Sequence, residues 1–310
     1  MKQVSRRNVL ASAGAATTGL AAAESSGTAQ AAAGPLTFDT PADHIRAFLK
    51  LHLSLASETI YHTYTGTLEA MVPGREIVNL VACTTLLRRQ IEEREDGHHV
   101  TVWEGTVYHR PGETEPLDEF VNPLNGRTVR PFHQREGRGQ ALWTATGPKI
   151  RRSNGEWVTL GGGKPYTFDW YQAGGRIWMS RYSSGVYAQN PLNSEEWPLE
   201  FSGPDLIYSE KTTNSGLVSE MADPSILNAS ATYGLNVTMP WWPWLLMGRT
   251  PGHLVWNTEG VKMSSPDELP PDVRAMIERL HPRLFADDEP WSERYNLWTD
   301  YPKMRTPVAG

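Results

Sequence analysis

The sequence predicts a mainly β protein: a single antiparallel β-barrel or strongly curved sheet with a helix near each end. Three observations carry that class. Short segments rich in β-branched and aromatic residues recur along the chain, a composition that suits a pleated, half-buried surface. Turn signals separate them at short intervals: Pro111-Gly112, Asn125-Gly126, Gly137-Arg138-Gly139, Asn154-Gly155, Gly161-Gly162-Gly163 and Gly174-Gly175. No helical pattern intervenes between these pieces, which favours hairpins over parallel crossover units.

The elements follow in order. Residues 1–33 read as a twin-arginine (Tat) signal peptide and leader. Ser5-Arg6-Arg7 is the receptor-read address, residues 9–23 form a weakly apolar run, and Thr28-Ala29-Gln30-Ala31 offers a cleavage site. This predicts a periplasmic or secreted protein that meets the Tat translocase during export. The remaining residues, 34–310, are expected to form one β-rich domain. Thr40-Pro41-Ala42-Asp43 opens a helix over 41–55, with Ile45, Phe48, Leu49 and His52 on one face. Strands are expected over 60–68, 100–108, 128–133, 140–146, 157–160, 166–171, 176–182, 205–213 and 254–262. Residues 77–94 suit either a helix or a strand leading into an Asp96-Gly97 hairpin. Pro270-Pro271-Asp272 opens a second helix, with Val273, Met276, Ile277 and Leu280 on one face, and Pro282 ends it. The aromatic tail, 285–310, is expected to wrap over the body.

Composition narrows the function. A formal charge of −6 and the lack of any Lys/Arg-rich run exclude nucleic acid as a partner. The apolar stretch 241–247 is too short for a membrane span and is broken by Pro243. The lone Cys83 sits in an apolar run and reads as a buried structural thiol. Twelve tryptophans and 11 tyrosines are a surplus of amphipathic rings. They suit a pocket for a bulky hydrophobic or aromatic molecule, or the packing of a β-rich core.

The sequence carries no cofactor motif, so no cofactor is expected. Gly161-Gly162-Gly163-Lys164 is followed by Pro165 where a phosphate loop needs Ser or Thr. The dinucleotide fingerprint, the Gly-x-Ser-x-Gly elbow and His-Glu-x-x-His are all missing. No metal is expected either: His98 and His99 would point to opposite faces of a strand, away from a common centre with His109 and His133.

Strand alternation picks out candidate chemistry. Glu104 shares a face with Val102, Thr106 and Tyr108, and Trp103 lies opposite. Burial would raise the Glu104 pKa and suit it to general acid or base work. A rim glutamate paired with arginine is the other reading. His62 and Tyr64 share a face with Gly66, where a glycine leaves room for a ligand. Arg181 shares a face with Met179 and Ile177, so it needs a carboxylate or an anionic ligand, and Asp169 is the candidate partner. Glu104, Tyr108, His62, Tyr64 and His133 are thus the proton-transfer candidates. Trp103, Asp169, Trp170, Trp178, Arg181, Tyr182, Trp241, Trp242 and Trp244 are the substrate-binding candidates. The segment 239–248 reads as a lid over a pocket mouth or as a core plug.

Several pieces, in this order, resemble the uncharacterised DUF1838 family, whose members often carry Tat signals. They are the opening helix 45–53, the segment 66–74 ending Val-Pro-Gly, and the 104–108 strand. After them come Asn122-Pro123-Leu124-Asn125-Gly126, Trp244-Leu245-Leu246-Met247-Gly248 and Pro251-Gly252. Where that family often reads Thr-Gly-Glu after Asn-Pro-x, this chain reads Asn125-Gly126-Arg127. The change favours a tight turn and removes an acid. The resemblance implies an exported domain of mostly β structure and supplies no activity.

The function these residues lead us to expect is a cofactor-independent lyase, isomerase or hydratase acting on a bulky aromatic or terpenoid-like molecule. The alternatives are a lipocalin-like carrier without turnover, or a carbohydrate-active protein using Glu104 with Asp169.

Overall fold

The computed structural model of the chain describes residues 36–151, 155–160, 165–286 and 297–309. The expected signal and leader lie outside them, as do Trp291 and Tyr295 of the tail. All described residues belong to one compact unit.

Helix α1 (Pro41–His52) starts as its sequence requires. The Thr40 side chain accepts from the Asp43 N–H, and the Asp43 carboxylate accepts from the Thr40 N–H at 2.9 Å. It ends three residues earlier than expected. The reason is tertiary: the Lys262 ammonium donates to the carbonyls of Lys50, Leu51 and Leu53 at 3.1, 2.8 and 3.0 Å. These are end-of-helix carbonyls without intrahelical partners. Lys262→Met is therefore expected to fray the last turn of α1 at a cost of about 1–3 kcal/mol. Faster amide exchange at residues 51–53 and a lower melting temperature would show it, and unchanged exchange would refute it.

The strands are β1 (Thr59–Met71), β2 (Val78–Arg94), β3 (Gly97–His109), β4 (Phe120–Val121), β5 (Thr128–Val129), β6 (Arg135–Thr144) and β7 (Gly147–Arg151). They continue with β8 (Trp157–Thr159), β9 (Asp169–Ala173), β10 (Arg176–Gln189), β11 (Asp205–Leu217), β12 (Thr232–Met239) and β13 (His253–Met263). Helix α2 (Val218–Ala222) follows β11, α3 (Pro271–Leu280) follows β13, and α4 (Leu297–Met304) lies in the tail. Among the described residues eleven strands form one sheet in the order β8-β7-β6-β3-β2-β1-β13-β12-β11-β10-β9, and β4 pairs with β5 apart from it. The pairs are antiparallel. Among the described residues no pairing joins β8 to β9, so hydrogen bonds do not close a barrel.

Of the ambiguous residues 77–94, Val78–Arg94 are strand. Their charged end pairs with β3 across a turn in which Gly97 has φ 132°, so cross-strand bonding overrides a helix-forming composition. The expected strand 128–133 shrinks to β5, because Pro131 has no N–H to give a ladder. Strand β12 was not expected. Gly234 and Asn236 on its outer face hide its alternation of buried Tyr233, Leu235, Val237 and Met239.

Directly paired residues share a face. The pairs His62–Leu87–Glu104, Tyr64–Gly260–Tyr233–Asn214–Met179 and Thr258–Leu235–Thr212–Arg181 therefore put these side chains on one face of the sheet. Two apolar clusters occupy it. Near one end α1 packs Ile45, Phe48, Leu49 and Leu51 onto Ile60, Ile91, Val100, Ile177 and Met179. The other cluster holds Leu68, Val237, Trp256, the segment 241–247, and Leu297, Trp298 and Tyr301 of α4. The tail thus packs on the body where it is described. On the opposite face α3 covers Tyr61, Leu86, Trp103 and Val107 with Met276 and Ile277.

The segment 241–247 is mostly core. Trp241, Trp242 and Trp244 are all buried. Asn122 and Asn125, of the turn between β4 and β5, donate side-chain N–H groups to the Leu245 carbonyl at 2.9 and 3.1 Å. The Asn125-Gly126 turn is thus a clamp on the tryptophan segment.

Candidate functional site

Between the two apolar clusters lies a polar band, and at it a cavity of about 450 Å³ opens. Its polar lining is Tyr64, Arg89, Glu104, Gln134, Arg181, Tyr208, Glu210, Tyr233 and His52. Its apolar wall includes Leu87, Val102, Leu206, Leu235, Val237, Trp242, Trp256 and Trp298. That volume falls in the range of small-molecule sites. A wider, shallow groove crosses the other side of β11, β12 and β13, lined mainly by hydroxyl and amide side chains such as Thr65, Thr213, Thr232 and Asn236. The narrower cavity holds the perturbed acids, so it is the candidate site.

Glu104 sits half-buried in the cavity wall. Tyr64 donates its O–H to Glu104 Oε1 at 2.7 Å. Burial raises the Glu104 pKa, and the Tyr64 hydrogen bond and the Arg89 charge only partly offset it. Burial likewise raises Glu210, against Arg181 and Arg89. The Tyr64 and Tyr233 phenols are pushed up by burial and stay neutral.

Arg89 projects from β2 into this band and is buried. Its Nη1 donates to His52 Nε2 at 2.9 Å and to His62 Nδ1 at 3.2 Å. A guanidinium only donates, so His52 Nε2 accepts, and its Nδ1–H is left to donate to Asn214 Oδ1 at 2.7 Å. Burial first, then the Arg89 charge, holds both histidines well below the usual imidazole range. They are neutral props for Arg89. His62 lies behind Arg89 and is not part of the cavity lining.

Of the residues singled out in the sequence, the cavity brings together Glu104, Tyr64, Arg181 and Trp242. The rest are elsewhere. Tyr108 is wholly buried against Trp242, Trp244 and His133. His133 accepts the Tyr108 N–H at Nδ1 (3.1 Å) and donates from Nε2 to the Leu117 carbonyl (3.2 Å); it pins a loop. Burial takes its pKa down to about 4. Trp103 lies on the opposite face under α3, with Arg88 over its ring. Trp170 stacks on Phe38 and donates to His44 Nδ1 at 3.1 Å. Trp178 stacks on Tyr171, and Tyr182 is 71% exposed beside Lys211. Trp241 donates to the Thr250 carbonyl at 2.7 Å, and Trp244 is core.

Asp169 is exposed and pairs across the ladder with Ser180, so it lies on the face away from Arg181. The carboxylate facing Arg181 is Glu210. Gly66 leaves room not for a ligand but for β13: a Cβ there would sit 1.9 Å from the Asn257 carbonyl oxygen. Cys83 is buried, accepts from Trp256 Nε1 at 2.7 Å, and has its thiol pushed up to about 12 by burial. That holds it as an inert thiol.

Sequence reading missed His52, Arg89, Glu210 and Tyr233. Two signals existed. Once 77–94 is strand, Arg89 falls on one face with Thr85, Leu87 and Ile91, and a charge there needs a purpose. His52 closes the apolar face of α1, where imidazole meets the sheet.

Fold and cavity together define a mainly β protein with an acid–arginine site in an open cavity. The chain belongs to the DUF1838 family, described as a protein of unknown function; the match spans residues 57–303. No curated protein matches it. Among solved structures it is similar to a Nitrosomonas europaea protein provisionally assigned as an AttH, at 9% identity and a TM-score of 0.18. That likeness covers 69% of this chain and 54% of the other, so this chain spans about half of that protein, and it carries no argument about function.

Proposed function

We propose that this chain is an exported, cofactor-independent acid/base enzyme of lyase, isomerase or hydratase type. It acts in the periplasm, or outside the cell, on a bulky aromatic or terpenoid-like small molecule. One observation supports it most: Glu104, raised in pKa by burial and bonded to Tyr64, faces a cavity with an apolar wall. A carboxyl poised in this way delivers a proton to a double bond or leaving oxygen, and its carboxylate takes one back from carbon or water. The reading takes the sheet as strongly curved, since β3 and β10 both line the cavity although five strands lie between them. Two titratable acids at the cavity favour chemistry over a carrier. The sugar-cleaving reading needed Asp169 to face Glu104, and Asp169 is at the far edge strand.

The test is solvent-proton exchange. The protein is incubated in D2O with a panel of aryl-substituted and cyclic terpenoid alkenes, alcohols and acids, and deuterium at carbon is read by mass spectrometry. Wild type is expected to label at least one member, and Glu104→Gln to slow that labelling by about 10²–10⁴-fold. Binding without labelling by wild type would leave the carrier reading in its place.

A further inference from the structure

We propose that the polar end of the cavity binds a carboxylate through the guanidinium groups of Arg181 and Arg89. The substrate class, resting on the enzyme reading above, is then an aromatic or terpenoid-like carboxylic acid.

Both arginines hold donors that no described residue accepts. Arg89 is 7% exposed and uses only Nη1 inside the protein, on two uncharged imidazoles. Its Nε and Nη2 bond to no described residue. Arg181, half-buried in the same cavity, makes no hydrogen bond or ion pair with any described residue. Glu104 and Glu210 also line the cavity, yet neither forms an ion pair with these arginines. Glu210 and Glu104 act on these guanidiniums only at longer range, and a partly desolvated guanidinium fork with no carboxylate oxygen at bonding distance suits completion by a ligand. The planar fork of arginine matches the two oxygens of a carboxylate.

The surroundings choose among anions. Leu235, Val237, Met239, Trp242 and Trp256 wall the cavity and suit a hydrocarbon body. Glu104 and Glu210 would repel a phosphate dianion more than a monoanion. The ligand is therefore an acid with a carboxylate head and an apolar body, its head among the arginines and its nearest carbons at Glu104 and Tyr64. In that pose the arginines would also stabilise negative charge as it spreads from those carbons into the carboxylate.

The test compares matched pairs: 3-phenylpropanoate with 3-phenylpropanol, and citronellate with citronellol, by titration calorimetry at low salt. Each acid is expected to bind at least tenfold tighter than its alcohol, about 1.4 kcal/mol. Arg181→Gln should erase that preference and leave alcohol binding within about twofold, with Arg181→Lys between the two. A melting curve on each variant separates lost binding from lost folding; Arg181 holds nothing else in place, so both should melt near wild type. Alcohols binding as tightly as acids, equal losses for both in Arg181→Gln, or no acid binding at millimolar concentration would each overturn the proposal. Acid binding without deuterium labelling would sink the enzyme reading alone. Labelled alcohols with unbound acids would sink the carboxylate site alone.

Discussion

Replacing Gly260 by alanine is expected to lower the melting temperature by about 6–12 °C, a cost of about 3 kcal/mol or more. A Cβ at Gly260 would lie 1.8 Å from the Thr63 carbonyl oxygen and 2.7 Å from the Tyr64 Cα. Both obstacles are backbone of β1, which is hydrogen-bonded to β2 on one side and β13 on the other. Neither can rotate away, as a flexible side chain could. Gly66 is the reciprocal case, with its Cβ 1.9 Å from the Asn257 carbonyl oxygen. The close approach of β1 to β13 also sets Tyr64 beside Tyr233 and Glu104, so a partly folded variant should lose ligand binding too. Gly139→Ala is the control, since a Cβ there meets nothing within 4 Å. Thermal melts of the three proteins decide the matter. A Gly260→Ala shift no larger than that of Gly139→Ala would refute the steric account.

Acid is expected to weaken the fold steeply below pH 6.5. His52 and His62 are held well below the usual imidazole range by burial and by Arg89, and His133 is down at about 4. In the unfolded chain all three take protons near pH 6.5. A group whose folded pKa is depressed binds more protons unfolded than folded as pH drops below that value, so stability falls with pH. Each histidine contributes a slope of about 1.4 kcal/mol per pH unit until its folded pKa is reached. Glu104 and Glu210 act the other way. Their folded pKa values are raised, so stability returns as pH falls through them. Three histidines against two carboxyls leave a net loss of about 1–5 kcal/mol between pH 6.5 and 5. Melting temperatures at pH 7.5 and 5.0 should differ by about 3 °C or more. His62→Gln keeps an acceptor for Arg89 and cannot titrate, so it should remove about a third of the slope. A melting temperature that stays level across this range would disprove the buried neutral state.

Much of the local structure was legible in the residues. The helix start at Thr40 to Asp43 is written in a cap and a proline, and the structure builds that capping box. The β1, β3, β10 and β13 segments announce themselves by β-branched and aromatic alternation. The same alternation put Glu104 and Trp103 on opposite faces, so Trp103 could have been left out of the pocket on sequence grounds. Residues 78–94 were less legible because strand pairing, not propensity, decides them. Arg89 was hidden with them.

The partners within the site were not legible at all. Nothing in the order of residues says that Glu104 of β3 meets Tyr64 of β1, or that Glu210 of β11 and Arg181 of β10 reach the same cavity. Asp169 was the nearest carboxylate in sequence to Arg181, and register sent it to the other face. By itself the sequence determined that the chain is mainly β, where most of the strands run, and that Glu104 and Arg181 each share a strand face with apolar neighbours. These follow from backbone geometry and from the period of two. Only the tertiary structure decided which buried charges share a space. That depends on register, on strand order and on the close backbone contacts at Gly66 and Gly260, which are set by residues far apart in the chain.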